Sequence, residues 1–415
     1  MGFITLTSKK VSDKLLLRSS KFLLLKEVYV FTMHIKFDNN LTRKSNSLLI
    51  LNEIMKQPLS RTELASKVKL TMGGLTPIIK NMISSGLIEE FKGLSNSNLG
   101  RKPILLKINN NKFKIITISI SRDKYTISLV NFGNLILKTK EIYYQNKIFT
   151  KDELLKNISI DIDNIKKDYE IIGLSITAPG PIDYTNGVIL NPPNFNGWSN
   201  LEIKKNLAKD NFPFSLENDV DAMSYAESYI GEAQNSKKFI SLNIGQGVGC
   251  GIFINNQNLR KTNRNSCEIG HMSVNIFGEK CNCGNTGCLE SYISTNSILN
   301  QISISKKKYV NWIEVCSLYK DKDPIVLEII NRSIEILGHA LVSLLNILDL
   351  ELIVLSGAFS FLGDSIPSVL EDIISSNLIF KNKNIKVVNS KLKNTETIGS
   401  SILFFKEFLQ DNDLF

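Results

Sequence analysis

The sequence predicts an α/β protein in which a small, basic helical module precedes a larger body built from two similar halves. Two observations support this. The chain has 415 residues and is 43% hydrophobic, which is enough for two or three separate cores. Near residue 112 its pattern changes from amphipathic helical stretches to β-hairpins followed by alternating strands and helices, and this second pattern occurs twice.

The helical stretches between residues 47 and 84 predict three short helices. Ser60 and Glu63 form the S-x-x-E signature of a capping box at the start of the second one. Residues 87–108 then predict two strands joined by a polar, glycine-containing loop. Three helices and a hairpin over 44–110 are typical of a winged helix-turn-helix, whose third helix enters the major groove of DNA while the wing reaches an adjacent groove. The alternative is a helical dimerisation module.

Positive charge is concentrated at the N-terminal end of the chain, whose formal net charge is +10. Residues 33–110 contain 12 Lys and Arg against 5 Asp and Glu, and residues 1–32 contain 6 against 2. This distribution indicates that the first part binds a polyanion such as DNA, although charge alone fits a solubilising tail equally well. Residues 1–43 are interpreted as an N-terminal extension, and an alternative is that translation starts at Met33 instead of Met1.

Membrane insertion and secretion are both disfavoured. No stretch reaches the roughly 18 uninterrupted apolar residues that a membrane span needs. The apolar segment 21–31 is broken by Lys26 and Glu27 and has no small-residue cleavage site, so it makes a poor signal peptide. The sequence therefore predicts a soluble, cytoplasmic protein whose six cysteines are thiols or metal ligands rather than disulfides.

The body, residues 111–415, shows the same order of elements twice. Three strands over 113–142 precede a helix near 151–166, and residues 239–259 are again strand, glycine loop, strand and hairpin. A long helix around 325–348 and alternating elements complete the second half. Two α/β halves with matching β-meanders predict the actin-like, ribonuclease H-like fold of sugar kinases, with a cleft between the two lobes.

A histidine and three cysteines lie close together in the loop 268–290. The four residues are His271, Cys281, Cys283 and Cys288. They supply the ligands of a tetrahedral structural zinc site with no open position, which stabilises a loop and does not activate water. The alternative is a set of reduced surface thiols. The other three cysteines match no ligand spacing and are interpreted as small apolar residues: Cys250, Cys267 and Cys316.

The motif Glu268-x-Gly-His271, the three cysteines and Glu290 together resemble the ROK family of repressors, open reading frames and kinases. The resemblance covers the chain from about residue 44 to its end and is strongest to the branch of xylose and N-acetylglucosamine repressors. It implies that Glu268 and Glu290 accept hydrogen bonds from sugar hydroxyls. It also implies that His271 contacts the sugar through the ring nitrogen that does not bind zinc.

The opposite wall of the cleft is predicted from Asn218 and Asp219, which match the sugar-binding Asn-Asp pair of the family. An amide and a carboxylate suit vicinal hydroxyls, because each hydroxyl both donates and accepts. On composition alone Asp219 fits a helix N-cap equally well. Residues 176–183 and 189–198 resemble the loops that form the rest of the cleft wall.

The first strand turn departs from the kinases of this family, which carry Asp-x-Gly-Gly-Thr there. In this chain Ser119, Ser121, Arg122 and Asp123 occupy the corresponding positions, so side chains fill the space of two glycines and a carboxylate lies where a triphosphate would bind. The second glycine loop, 245–251, is present, but tight turns also need glycine. The turn therefore argues against a kinase.

The predicted recognition helix also departs from the family, whose repressors place Thr, Ser and Arg at its start. This chain has Gly73, Gly74, Thr76 and Pro77. Glycine costs about 1 kcal/mol in a helix interior and proline is tolerated in the first turn, so we expect the helix to begin after Thr71. The candidate DNA contacts are Thr76, Lys80, Asn81, Arg101 and Lys102.

Taken together, these features predict a sugar-responsive, DNA-binding transcriptional regulator without catalytic residues. It is expected to repress carbohydrate genes, to bind operator DNA as a dimer or tetramer, and to be released by a sugar or sugar phosphate. One alternative is an ATP-dependent sugar kinase fused to a DNA-binding module. Another is a regulator controlled by a protein partner, with a vestigial sugar site.

Overall fold

The structure, a computed structural model, describes residues 39–92, 103–144, 149–193, 195, 197–208, 212–262, 266–381 and 383–412. Two of the predicted DNA contacts, Arg101 and Lys102, lie outside the described residues. Residues 1–38 of the predicted extension also lie outside them. Among the described residues, no helix has the length and apolar character needed to cross a membrane.

The helices, in chain order, are α1 (Asn39–Lys56), α2 (Arg61–Val68), α3 (Met72–Ser84), α4 (Lys151–Asp168), α5 (Ile203–Leu207), α6 (Asp219–Ile230), α7 (Leu259–Thr262), α8 (Glu290–Ile293), α9 (Thr295–Lys306), α10 (Trp312–Lys320), α11 (Pro324–Leu345), α12 (Ser365–Asn377) and α13 (Thr395–Asp411). The strands are β1 (Leu59–Ser60), β2 (Ile88–Lys92), β3 (Ile104–Ile108), β4 (Lys114–Ile120), β5 (Lys124–Asn131), β6 (Ile136–Tyr143), β7 (Leu174–Ala178), β8 (Ile182–Asp183), β9 (Val188–Ile189), β10 (Leu201–Glu202), β11 (Phe214–Asn218), β12 (Phe239–Ile244), β13 (Val248–Ile254), β14 (Gln257–Asn258), β15 (Leu352–Gly357) and β16 (Lys386–Asn389).

The N-terminal module is the predicted winged helix-turn-helix. Helices α1–α3 pack on an antiparallel sheet of order β1-β3-β2, and β2 and β3 form the arms of the wing. The capping box is confirmed, because the Ser60 hydroxyl accepts from the Glu63 N–H at 3.3 Å while the Glu63 carboxylate accepts from the Ser60 N–H at 2.8 Å.

Helix α3 begins at Met72, directly after Thr71, whose hydroxyl accepts from the Gly74 N–H at 3.2 Å. Pro77 consequently lies in the second turn, and the expectation that it would fall in the first turn is wrong. The helix continues through the proline because its opposite face is buried in the core of the module. The carbonyl of Gly73, which loses its helical partner, lies on the exposed face, where water can reach it.

The body consists of two lobes with the same strand order. In lobe 1 the sheet runs β6-β5-β4-β7-β11, and in lobe 2 it runs β14-β13-β12-β15-β16. In each lobe three antiparallel strands are followed by two that continue parallel to the first. This duplication confirms the predicted actin-like, two-lobed architecture.

Helices α6 and α13 pack against each other at the centre of the molecule. A Cβ on Gly399 would lie 1.6 Å from the carbonyl oxygen of Ala222, so the two backbones are in direct contact. The end of α13 enters a hydrophobic cluster shared by the N-terminal module and lobe 1, in which Phe405 packs on Phe132 of lobe 1 with ring centroids 5.1 Å apart. The N-terminal module is thereby joined to the body by a shared hydrophobic core.

Candidate functional site

A cleft of about 880 Å³ lies between the two lobes. Residues from both lobes line it, and they include all five predicted sugar-binding residues: Asn218, Asp219, Glu268, His271 and Glu290. Parts of the loops 176–183 and 189–198 form another wall of the cleft. The fold therefore brings these five candidates, which are up to 72 residues apart in the sequence, to one cavity.

Asn218 and Asp219 lie where strand β11 ends and helix α6 begins. Asn218, not Asp219, is the N-cap: its side-chain oxygen accepts from the Val220 N–H at 3.2 Å. The Asp219 carboxylate accepts from the same N–H at 2.8 Å. Burial raises the pKa of the Asp219 carboxyl, against the lowering influence of the Val220 N–H and of Arg122. A carboxylate with a raised pKa is a better proton acceptor than an exposed one.

The two glutamates are each held by a donor from the protein. The Arg260 guanidinium donates to Glu268 at 2.8 Å, and the Val248 N–H donates to Glu290 Oε2 at 2.8 Å. Glu268 is exposed to the cleft, with 55% of its side chain accessible. Both carboxylates therefore keep acceptor capacity for a ligand while their positions are fixed.

Sequence reasoning missed Arg260. Its side chain is 6% exposed and lies between Asp221, 2.9 Å away, and Glu268. Burial raises the pKa of Asp221 to about 6, although the adjacent Arg260 acts in the opposite direction. A single arginine in the short helix α7 has no motif that would identify it. Only the fold shows that it links the start of α6 to the loop 268–290, which carries the histidine and the three cysteines and is called the metal loop.

The predicted metal ligands form one cluster. The ligand atoms of His271, Cys281, Cys283 and Cys288 all lie within 4.8 Å of one another. Cys283 Sγ is 3.6 Å from Cys288 Sγ, and Cys281 Sγ is 3.8 Å from His271 Nδ1. Ligands of a tetrahedral zinc with bonds of about 2.3 Å are separated by about 3.8 Å, so this group of side chains fits such an ion. The cluster can bind a metal ion.

The metal loop has little hydrophobic core of its own and turns tightly around its glycines. Gly287 has φ of 68°, and a Cβ there would lie 1.7 Å from the carbonyl oxygen of Asn275. Only glycine fits this position. The loop places His271 and Glu290 at the cleft.

The first strand turn is closed by its own hydrogen bonds. The Ser121 N–H donates to the Lys124 carbonyl at 2.9 Å, and the Ser121 hydroxyl lies 2.8 Å from Asp123 Oδ1. Arg122 extends from this turn into the cleft, where its Nε donates to the Pro193 carbonyl at 3.2 Å. The Ser121 N–H is therefore hydrogen-bonded within the turn, and the Arg122 guanidinium fills the space beside it.

The remaining predicted DNA contacts lie on helix α3. Thr76 and Lys80 are exposed on one face, and Asn81 beside them is half-buried. The Thr76 hydroxyl donates to the Met72 carbonyl at 2.7 Å and still has lone pairs to accept with. Among the described residues, nothing fully covers the surface that these three residues share.

Comparison with known proteins identifies the family. The ROK family profile matches residues 115–407. The chain belongs to the ROK family. It is 29% identical to a xylose repressor from Caldicellulosiruptor bescii over 384 residues, which are 87% of this chain and 95% of the relative. It is 26% identical to the DNA-binding transcriptional dual regulator NagC of Escherichia coli K12 over 388 residues, covering 89% and 94% of the two chains.

Solved structures give the same fold. A ROK family transcriptional regulator described as a homologue of the Escherichia coli MLC protein superposes with a TM-score of 0.75 at 24% identity, covering 90% of this chain and 98% of that one. A ROK hexokinase from Thermus thermophilus superposes with a TM-score of 0.62 at 20% identity, covering 72% of this chain and all of that one. These similarities establish the architecture and leave the activity to the site residues.

Proposed function

We propose that this protein is a transcriptional repressor of carbohydrate genes whose operator affinity is controlled by a sugar bound in the interlobe cleft. The observation that carries the proposal is the convergence of Asn218 and Asp219 from lobe 1 with Glu268, His271 and Glu290 from lobe 2 in one cavity. The relatives named as xylose repressor and as transcriptional regulator support it, because they match over almost the whole chain.

Helix α3 is the proposed DNA-reading element, with Thr76, Lys80 and Asn81 as its contacts. Gly73 and Gly74 support this assignment. Among the described residues, a Cβ at either position would meet only the Thr71 hydroxyl, at 4.0 and 3.5 Å, so packing within that part of the chain does not require glycine there. Each glycine costs the helix about 1 kcal/mol. Their small size suits the close approach of a DNA backbone, and Arg101 and Lys102 of the wing are proposed to contact an adjacent groove.

Two helices provide the route from sugar to DNA. Helix α6 begins at the sugar-binding pair and extends about 15 Å to Tyr229, whose hydroxyl donates to Asn52 of α1. Helix α13 begins beside Ser119, which donates to the Glu396 carboxylate, and ends in the core of the winged helix. Closing the cleft on a sugar would move both helices together, so sugar and DNA binding oppose each other reciprocally. A homodimer or homotetramer supplies the two modules that a two-fold operator needs.

Zinc is the metal we assign to the His271 cluster, in a structural role. The ion would supply charge and rigidity to a loop that carries two sugar-binding residues, His271 and Glu290. No step of catalysis is assigned to it. The protein is proposed to act in the cytoplasm, where cysteine thiolates remain reduced and available as ligands.

A sugar kinase is the competing function, because ROK kinases share the fold. The occupied first turn argues against it, since Arg122 and Asp123 lie where nucleotide phosphates would need backbone N–H groups. A coupled assay that follows ATP consumption with a panel of sugars decides this point. Turnover that depends on Asp219 would replace the repressor proposal with the kinase.

The proposal is tested by fluorescence anisotropy of the protein on DNA from upstream of its own operon, at fixed salt, with and without D-xylose, D-glucose, N-acetyl-D-glucosamine and their phosphates. We expect one sugar to release the DNA and Asp219→Ala to abolish that release without changing DNA affinity. Asp372→Ala, which removes an exposed carboxylate from lobe 2, is the matched control. Tight DNA binding that responds to no sugar would contradict the proposal and favour control by a protein partner.

A further inference from the structure

Arg122 crosses the cleft from lobe 1 to lobe 2. Its backbone lies in the β4–β5 turn, its Nε donates to the Pro193 carbonyl at 3.2 Å, and its terminal nitrogens reach Gly247 in the β12–β13 turn. A Cβ on Gly247 would lie 3.6 and 3.8 Å from those two nitrogens. Arg122 therefore lies beside three separate segments of the cleft wall, one of which is its own turn.

The same Gly247 lies against a sugar-binding carboxylate. Its Cβ would be 3.0 Å from Glu290 Oε2, the oxygen that accepts from the Val248 N–H. The Arg122 guanidinium and the Glu290 carboxylate therefore both lie within 4 Å of one point, the Cβ position of Gly247. Arg122 also acts on Asp219, because its positive charge favours the ionised form of that carboxyl. The guanidinium is thus placed between the carboxylates of the two lobes.

We propose that Arg122 is an interlobe latch that pairs with Glu290 when the cleft closes on a sugar, so that the chain itself supplies the bridge between the lobes. This inference rests on the proposed function, because it concerns the same cleft. Without the latch, Asp219 and Glu290 would approach each other on closure with no positive charge between them. Arg122 neutralises this repulsion and fixes Glu290 towards the sugar hydroxyls.

The latch also defines the chemical class of the effector. Arg260, the other arginine lining the cleft among the described residues, is already paired with Asp221 and Glu268. If Glu290 pairs with Arg122, both arginines of the cleft are occupied by carboxylates of the protein. The cleft then presents three carboxylates to a ligand: Asp219, Glu268 and Glu290. An uncharged sugar suits this arrangement, whereas a phosphate would have to displace Glu290 from the guanidinium. The effector is therefore an unphosphorylated sugar.

The test is a double-mutant cycle on the full-length, zinc-loaded protein. Calorimetry measures the affinity for D-xylose, D-glucose and N-acetyl-D-glucosamine and for the 6-phosphates of the last two, in wild type, Arg122→Gln, Glu290→Gln and the double variant. We expect Arg122→Gln to weaken binding of the uncharged sugar about 10- to 100-fold, with Arg122→Lys intermediate. The double variant should bind at least about 5-fold better than the product of the single effects predicts. Lys138→Gln, which removes an exposed charge from the same lobe, should change nothing.

Three outcomes would overturn the latch. The losses of sugar affinity in the two single variants could multiply without coupling, or Arg122→Gln could bind the uncharged sugar with wild-type affinity. The third outcome is a loss of affinity confined to the 6-phosphates, which would make Arg122 a phosphate anchor. A readout without ligand separates failure of the latch from failure of the proposed function. Hydrogen–deuterium exchange of the peptides that cover 190–193 and 245–249 should be faster in Arg122→Gln than in wild type or Lys138→Gln. Unchanged exchange overturns the latch even if no sugar binds, whereas faster exchange with no sugar binding refutes only the sugar-controlled function.

Discussion

The two lobes share a strand order but differ at the turn between their first two strands. In lobe 1 this turn carries Ser121, Arg122 and Asp123, and in lobe 2 it carries Gly245, Gln246 and Gly247. In a ROK kinase both turns approach the nucleotide, whereas here one is filled by side chains. The difference shows that a duplicated fold does not by itself duplicate a binding site.

The glycines that follow the second turn have a structural reason that involves no nucleotide. A Cβ on Gly249 would lie 2.8 Å from Val220 Cγ1, and one on Gly251 would lie 2.2 Å from the Ser224 hydroxyl oxygen. Both contacts are made by helix α6, which packs directly on strand β13. Nothing lies within 4 Å of a Cβ on Gly245. Helix packing therefore explains two of the four glycines in the run 245–251, so the run is weak evidence for phosphate binding.

The largest expected effect comes from breaking the metal cluster of lobe 2. Replacing the fully buried Cys288 by serine removes one of four ligands, so the loop that carries His271 and Glu290 should lose its shape. We expect a loss of sugar affinity of more than about 100-fold, with DNA affinity in the absence of sugar changed by less than about 3-fold. Calorimetry and anisotropy measure the two affinities, and elemental analysis measures the zinc.

Cys316→Ser is the matched control, because Cys316 is a half-buried cysteine outside the cluster. It should retain both zinc and sugar binding. A Cys288→Ser protein that loses zinc yet binds sugar with wild-type affinity would show that the loop does not need the ion.

The packing explanation of the second glycine run predicts unequal effects within that run. Gly251→Ala forces a methyl group onto Ser224 of α6 and should lower the free energy of unfolding by about 3 kcal/mol. Gly245→Ala introduces its methyl group into open space and should change it by less than about 0.5 kcal/mol. Urea denaturation of the two variants measures the difference. Equal destabilisation by both would mean that the turn and not helix packing requires the glycines.

Motifs and periodicity were sufficient to predict the architecture and the position of the site. The 3.6-residue and 2-residue periods identify the helices and meanders, and a helix over 219–230 is found at those residues. Spacing also predicted the cluster of one histidine and three cysteines that can bind a metal ion, because three cysteines within eight residues form a local pattern. Such features depend on neighbours in the sequence and can be recognised before folding is considered.

Contacts between distant segments could not be predicted in this way. Arg260 joins Asp221 to Glu268, and Arg122 reaches Gly247 from the other lobe. Neither arginine belongs to a recurring motif, and their roles arise only when the lobes meet. At Pro77 a local preference gave the wrong prediction. The preference of proline for the first helical turn was outweighed by the burial of one face of α3, and Pro77 lies in the second turn.

A smaller effect is expected at the lobe 1 end of helix α13. Burial raises the pKa of Glu396 to about 7, and the nearby Asp219 and Asp123 act in the same direction against Ser119 and Lys124. The folded state therefore holds a proton that the unfolded chain, with a pKa near 4.5, releases. The contribution of Glu396 to the free energy of unfolding is fully present below about pH 4.5. It should fall, by on the order of 2 kcal/mol, as the pH rises to 7.

Glu396→Gln keeps the shape of the protonated side chain and removes the titration. Its unfolding free energy should show a flatter pH dependence than that of wild type between pH 4.5 and 7, and it should be the more stable protein at pH 8. Chemical denaturation across this range measures both. Parallel pH profiles for the two proteins would mean that Glu396 is ionised in the folded state throughout.

The smallest expected effect comes from returning one glycine to the first turn. Ser121→Gly removes a hydroxyl that lies 2.8 Å from Asp123 Oδ1 and 2.9 Å from the Lys124 carbonyl, so it should cost about 1 kcal/mol of unfolding free energy. It should not create nucleotide binding, because Arg122 still fills the space between the two turns. Thermal unfolding with and without Mg-ATP measures both properties. A melting temperature that rises with Mg-ATP in this variant and not in wild type would show that the missing glycine, rather than Arg122, excludes the nucleotide and distinguishes the two lobes.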